Sequence, residues 1–205
     1  MVKKSRPPIP RLDKPIIETH CHLDYLDNNT LSSQLGLARD VGVEKFITIA
    51  VSTSNLDTTI ALADGHDDVW TTQGIHPHSA IDYDEVVDRK IRANISSNKV
   101  VAIGEIGLDY HYNHCDRKTQ IIAFERQLQI ASELDYPVVI HTREADQDTI
   151  QILRQFSKLL KFKGVIHSFT SSIELAEYCL SENFKLGFNG IATFKSAQNV
   201  REVIK

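Results

Sequence analysis

The sequence predicts an α/β fold built on parallel strands. Three observations carry that prediction. Short apolar segments alternate with helix-length segments along the chain. No linker, low-complexity tract or composition break divides its 205 residues. Polar residues recur just after the apolar segments. Strand–helix–strand repeats imply parallel pairing through right-handed crossovers. Two closures satisfy them, an open doubly wound sheet or a (β/α)8 barrel. A doubly wound nucleotide fold usually carries a Gly-rich first turn, and neither GxGxxG nor GxxxxGK[ST] occurs. A barrel instead builds its site from polar residues at the C-terminal ends of its strands.

The elements follow in order. Residues 1–14 carry Lys3, Lys4, Arg6, Arg11 and Lys14 among prolines and lack the apolar core of a secretory signal, so they read as a flexible leader before a domain at 15–205. Residues 16–19 are the first strand. Helix 29–41 follows, with Leu31, Leu35 and Ala38 at helical spacing and Gly42 past its end. Residues 45–51 (KFITIAV) form a buried strand, and Ser54 or Asn55 caps a helix through Leu56, Ile60 and Ala63. Strand 69–75 leads to His76, and helix 83–96 precedes strand 100–103. The long helix 119–134 offers Ile122, Phe124, Leu128 and Ala131 for packing. Strand 137–140 ends in His141, helix 145–160 follows, and the short strand 165–166 ends in His167. Helix 173–180, strand 185–189 and a helix from Ser196 onward complete the reading.

Composition excludes several functions. Hydrophobic content of 41% and charged content of 24% are those of an ordinary globular protein. A formal charge of −4 provides no basic field for nonspecific coating of nucleic acid. It leaves room for an acidic site at which divalent metals reverse the local sign. Three scattered cysteines give no disulfide framework and fit a reducing compartment, hence a cytoplasmic location. No apolar run approaches the ~20 residues that span a bilayer, so no membrane partner is expected.

The chemistry gathers at the strand ends. Side chains alternate along a strand, so His20 and His22 face one way and Cys21 the other. Asp24 continues the alternation and is placed to orient a ligand. Strand three delivers His76 and His78, strand four Glu105, strand five His141 and strand six His167. One histidine at a strand end is usually structural. Five strands each presenting His or Glu to one face point to metal-dependent hydrolysis. Zinc takes imidazole with carboxylate, while magnesium and manganese prefer more oxygen. A carboxylate such as Glu105 can bridge two metals ~3.5–4 Å apart. Arg143 is placed either to clamp an anionic substrate or to pair with Glu144 or Asp146. His111, His114 and Cys115 read as a solvated loop, Cys179 as core, and Ser168 lacks the spacing of a nucleophile elbow.

At these motifs the chain resembles the TatD-type deoxyribonuclease family of metal-dependent hydrolases. The stretches are Glu18-Thr19-His20-Cys21-His22-Leu23-Asp24, Gly74-Ile75-His76-Pro77-His78 and Gly104-Glu105-Ile106-Gly107-Leu108-Asp109-Tyr110. They continue with residues 137–145 (PVVIHTREA), 165–170 (VIHSFT) and 187–190 (GFNG). The resemblance implies a TIM-type (β/α)8 barrel holding two divalent ions (Mg, Mn or Zn). In the family pattern His20 and His22 hold one metal, Glu105 bridges both, and His141 and His167 hold the other. His76 lies near the substrate phosphate and Arg143 helps bind it, so Glu105, His76 and Arg143 are the catalytic candidates. The implied activity is cleavage of DNA phosphodiesters from the 3′ end of single strands, by a monomer where the barrel is complete.

Departures from the pattern are Glu18 for the usual Asp and Ser171 for the usual Gly. The family also continues through an eighth strand bearing a metal-binding Asp, which this chain does not show. Three readings stay open: a piece of a longer protein, a short product that dimerises or borrows a strand, or a decayed relative. Intact ligand positions favour the first. Two other functions stand beside the nuclease, a metal-binding or interaction protein without turnover and a barrel hydrolase acting on amides or esters.

Overall fold

The computed structural model describes residues 9–11, 13–112 and 114–205. Most of the expected leader, residues 1–8 and 12, lies outside the described residues. Seven parallel strands form one sheet in chain order. They are β1 (Ile16–Cys21), β2 (Val43–Thr48), β3 (Val69–Gln73), β4 (Val100–Asp109), β5 (Val138–Arg143), β6 (Gly164–Ile166) and β7 (Lys185–Leu186). Between and after them run α1 (Asn28–Asp40), α2 (Leu56–Asp64), α3 (Glu85–Asn94), α4 (Arg117–Glu133), α5 (Asp146–Phe156), α6 (Ile173–Ser181) and α7 (Gln198–Ile204).

The strand order decides between the two closures. A doubly wound sheet reverses its order at a switch point, whereas β1 to β7 run sequentially without reversal. Curvature is visible in one contact. The rings of His20 on β1 and His167 just past β6 stack with centroids 3.8 Å apart. Across a flat sheet five strand spacings would separate them by about 24 Å. The sheet therefore curls as in a TIM-type barrel, here with seven strands and without β7–β1 pairing among the described residues.

Local chemistry sets the helix starts. Asp27 accepts from the backbone N–H of Asn29 and Thr30, Asp84 from Val86 and Val87, Asp116 from Thr119, and Ser172 from Leu175. Each cap satisfies donors that a first helical turn leaves unpaired. The Asp84 cap starts α3 at Glu85, two residues later than the periodicity predicts, and a short 3-10 helix takes Pro77–Asp82. α5 ends at Phe156 rather than at 160. Lys163 reaches back to the carbonyls of Ser157 and Leu160 in the segment that follows.

β4 is the largest departure from the reading. It does not stop at Ile103 but continues through the glycine-rich stretch to Asp109. Glycine permits this where β4 meets β5. Gly107 pairs with His141 and has φ of 138°, and a Cβ there would sit 1.9 Å from the His141 carbonyl oxygen. The main core lies around β4, where Ile103, Ile106 and Leu108 meet Phe124 and Leu128 of α4, all essentially inaccessible. Each such side chain contributes roughly 1.5–3 kcal/mol of burial. A smaller cluster of Leu23, Leu31, Leu35, Phe46, Ala63 and Val69 lies under β1 and β2, with Cys21 against it.

Candidate metal centre

The elements deliver the predicted side chains to one place. Glu105, at the middle of β4, is only 3% exposed. Its carboxylate oxygens lie 2.5 Å from His167 Nε2, 3.1 Å from His141 Nδ1, 3.3 Å from His20 Nε2 and 3.6 Å from His76 Nε2. The donor atoms form two groups that share this glutamate. One is His20, Glu105 and His167; the other is His76, Glu105 and His141. His167 stands beside both, since its Nε2 is also 3.3 Å from His141 Nδ1.

His22 enters neither group. It follows β1 as the cap of a 3-10 helix at Leu23–Tyr25, with its ring centroid 5.3 Å from that of His20. Asp24 lies inside that short helix, so strand alternation ends at His22. One Asp24 oxygen accepts from Asn55 Nδ2 at 3.0 Å, and the other is buried without a partner. Cys21 points away as predicted, its Sγ 3.4 Å from the Ile47 carbonyl, and burial pushes its thiol up to about 12.

These residues fit divalent ions. His20 Nδ1 and Nε2 and His22 Nδ1 are buried without hydrogen-bond partners, although His20 Nε2 is close to Glu105. Unsatisfied imidazole nitrogens around a buried carboxylate are costly unless a cation completes them. The protonation states agree. Burial holds the His76 imidazole down to about 3 and also lowers His22 and His167, leaving neutral rings of the kind a metal requires. His141 is the exception. Burial opposes its charge, but hydrogen bonds to Asp109 and Glu105 outweigh burial and raise it to about 9. Burial likewise opposes ionisation of Glu105, and its histidine partners still hold it well below the usual carboxylate range.

Asp109 is a site residue that the reading did not assign. It is 1% exposed, and its Oδ2 lies 2.9 Å from His141 Nε2 and 3.1 Å from His78 Nε2. A carboxylate behind a ligating histidine fixes that ring's tautomer and orientation. Alternation along a longer β4 would have found it, because positions 105, 107 and 109 share a face. Two buried glutamines of α4 were likewise illegible. Gln127 accepts from the backbone N–H of Ile75 at 2.7 Å and donates to its carbonyl at 3.1 Å, directly before His76. Gln120 does the same for Asp109, at 2.8 and 3.0 Å. Spaced seven residues apart on one helix face, they clamp the ends of two strands.

Arg143 lies outside the cluster. Of its two alternatives, the ion pair with Glu144 or Asp146 is not formed. Glu144 pairs with His111 at 2.6 Å and Asp146 accepts from Ser172, while the Arg143 guanidinium stacks 5.2 Å from the centroid of Tyr112. Of the three residues read as a solvated loop, His111 and His114 are exposed and Cys115 is not. Cys115 is buried against Ala80 and Ala123 because α4 packs on the Pro77–Asp82 turn. Cys179 is core, as predicted.

A curled parallel sheet whose strand ends gather histidines around one shared glutamate defines a metal-dependent hydrolase. The chain belongs to the TatD-related DNase family, whose model (TatD related DNase) matches residues 17–205. The uncharacterized metal-dependent hydrolase YabD of Bacillus subtilis is 33% identical over 191 residues, 93% of this chain and 74% of that protein. The 3'-5' ssDNA/RNA exonuclease TatD of Erwinia tasmaniensis is 36% identical over 169 residues, 82% of this chain and 65% of that protein. The crystal structure of YJJV, a TatD homolog from Escherichia coli K12, is similar with a TM-score of 0.82 and 30% identity, covering 92% of this chain and 73% of that one. No helix among the described residues is long and apolar enough to cross a membrane.

Proposed function

We propose that the chain hydrolyses phosphodiester bonds of DNA, working from the 3′ end of a single strand in the cytoplasm. The observation that carries this is Glu105, a buried carboxylate touched by imidazoles from β1, β5 and the segments after β3 and β6. Membership of the TatD-related DNase family and the exonuclease name of the Erwinia relative support the same reading.

In this reading Glu105 would help hold two divalent ions. His20 and His22 would hold one, and His141 and His167 the other. Such ions supply Lewis acidity to the phosphoryl oxygens and lower the pKa of an attacking water. The protein's own groups do the rest. Asp109 holds the His141 ring in place. Gln127 sets the backbone from which His76 reaches the reacting phosphate. Arg143, free of ion pairs among the described residues, binds the anionic substrate. A second assignment has its own observation: His76 groups with Glu105 and His141, which makes it a ligand in its own right.

The test is cleavage of fluorescent single-stranded DNA with Mg²⁺, Mn²⁺ or Zn²⁺, with and without chelator, by the chain and by His141→Ala. The expected result is chelator-sensitive cleavage that falls at least about 100-fold in the variant. Stoichiometric metal binding without cleavage would instead support a non-catalytic metal-binding protein. Turnover of small amides but not of DNA would move the chain to the other hydrolase class. Metal stoichiometry of His22→Ala and His76→Ala separates the two ligand assignments.

A further inference from the structure

Beside the metal centre lies an open cavity of about 940 Å³, lined by His141 and His167 and also by Tyr110, Arg117 and Arg143. It is far larger than a single phosphate needs and lies at the upper end of the ~300–1,000 Å³ typical of ligand sites. Three carboxylates face it, and each is already engaged. Glu144 pairs with His111 at 2.6 Å, Asp146 accepts from the Ser172 N–H at 2.8 Å, and Asp148 accepts from the Tyr110 hydroxyl at 2.6 Å. Neither Arg117 nor Arg143 enters an ion pair among the described residues. Arg117 and Arg143 therefore face the cavity with guanidinium donors that no carboxylate occupies among the described residues.

Arg117 is the better positioned of the two. Its guanidinium lies 4.2 Å from the centroid of the Tyr110 ring. That ring is fixed at both ends, since its backbone N–H donates to the Arg143 carbonyl at 2.9 Å and its hydroxyl donates to Asp148. Stacking on a fixed ring pre-orients the planar donor fork. The location also has a local cost. Arg117 is the first residue of the 17-residue α4, whose first turn after the Asp116 cap holds no acidic residue, while α3, α5 and α6 each place at least one there. A cation at a helix N-terminus opposes the helix dipole. The stacking on Tyr110 and the neighbouring Asp116 cap offset part of that cost, and the side chain stays exposed to the cavity.

We infer that Arg117, held on Tyr110, binds a backbone phosphate of the substrate strand next to the bond that is cleaved. The inference rests on the phosphodiesterase reading above and extends it from one phosphate to a strand. A contact to phosphate requires no particular base and no 2′-hydroxyl.

The test is fluorescence anisotropy of labelled ten-nucleotide and two-nucleotide strands, as DNA and as RNA, with Ca²⁺ in place of a catalytic ion and over a range of salt. Arg117→Ala is expected to weaken the ten-nucleotide strand about tenfold, the scale of one charge-assisted contact. Its slope of log Kd against log salt is expected to fall by about 0.7, one single-strand phosphate. Arg117→Lys keeps the charge and restores the slope, which a purely structural role would not do. The two-nucleotide strand, with one phosphodiester, should change less than about twofold. Unchanged affinity and salt slope for the ten-nucleotide strand would overturn the inference. So would an equal loss on the two-nucleotide strand, or a loss confined to one sugar. Chelator-sensitive hydrolysis of bis(p-nitrophenyl) phosphate by the unaltered chain tests the phosphodiesterase reading separately. Its failure alongside an Arg117-dependent salt slope would sink that reading and leave the strand contact standing.

Discussion

β4 and β1 both deliver a residue to the metal centre, and they are held in different ways. Nine of the ten β4 residues are buried between neighbouring strands and α4. The first four residues of β1 are exposed, and Ile16 and Ile17 are 38% and 52% accessible. β1 pairs with β2 along one side, and further bonds hold its C-terminal end. Ile49 donates to the Cys21 carbonyl at 3.0 Å, and Leu23 donates to the Thr48 hydroxyl at 3.2 Å. The comparison teaches that a site can draw ligands from an exposed edge strand, provided the residues around the ligands are pinned. Glu105, which both ligand groups share, comes from the more deeply buried strand.

The most severe way to break this contrast is Gly107→Ala on β4. A Cβ would meet the His141 carbonyl oxygen at 1.9 Å in a backbone conformation that L residues rarely adopt. The expected loss is about 3 kcal/mol or more, read as a lower midpoint in urea denaturation. A smaller effect should follow Gln127→Leu, which keeps the volume but strands the backbone polar groups of Ile75. It should cost about 1–3 kcal/mol and lower kcat through His76, measured by denaturation and by DNA turnover together. A cost below about 0.5 kcal/mol would mean that water replaces the clamp. The smallest effect is expected at the edge. Ile17→Thr should stay within about 0.5 kcal/mol. A loss there as large as that of Gln127→Leu would show that the β1 face is covered in solution and would erase the contrast.

Much of this molecule was legible before folding. Strand and helix types follow from apolar periodicity, and His20, His76, Glu105, His141 and His167 are found together because each ends or interrupts a strand. Errors gathered where a local rule met a tertiary override. Gly104 and Gly107 look like breakers, yet β4 runs through them because its close approach to β5 leaves no room for a Cβ. Missing that extension concealed Asp109. Gln120 and Gln127 look like ordinary polar helix positions, and only the docking of α4 shows that they are buried and bonded to strand ends.

The sequence by itself determined the repeating strand–helix order, the parallel sheet and the identity of the metal-seeking side chains, since these depend on spacing of two or 3.6 residues and on residue chemistry. The tertiary structure alone decided which histidine meets which. His20 and His167 are 147 positions apart in the chain, and their rings stack at 3.8 Å. His22 follows His20 by two positions and still falls outside both ligand groups. Curling of the sheet sets such distances, and curvature arises from twist and packing summed over all the strands, a property no single segment encodes.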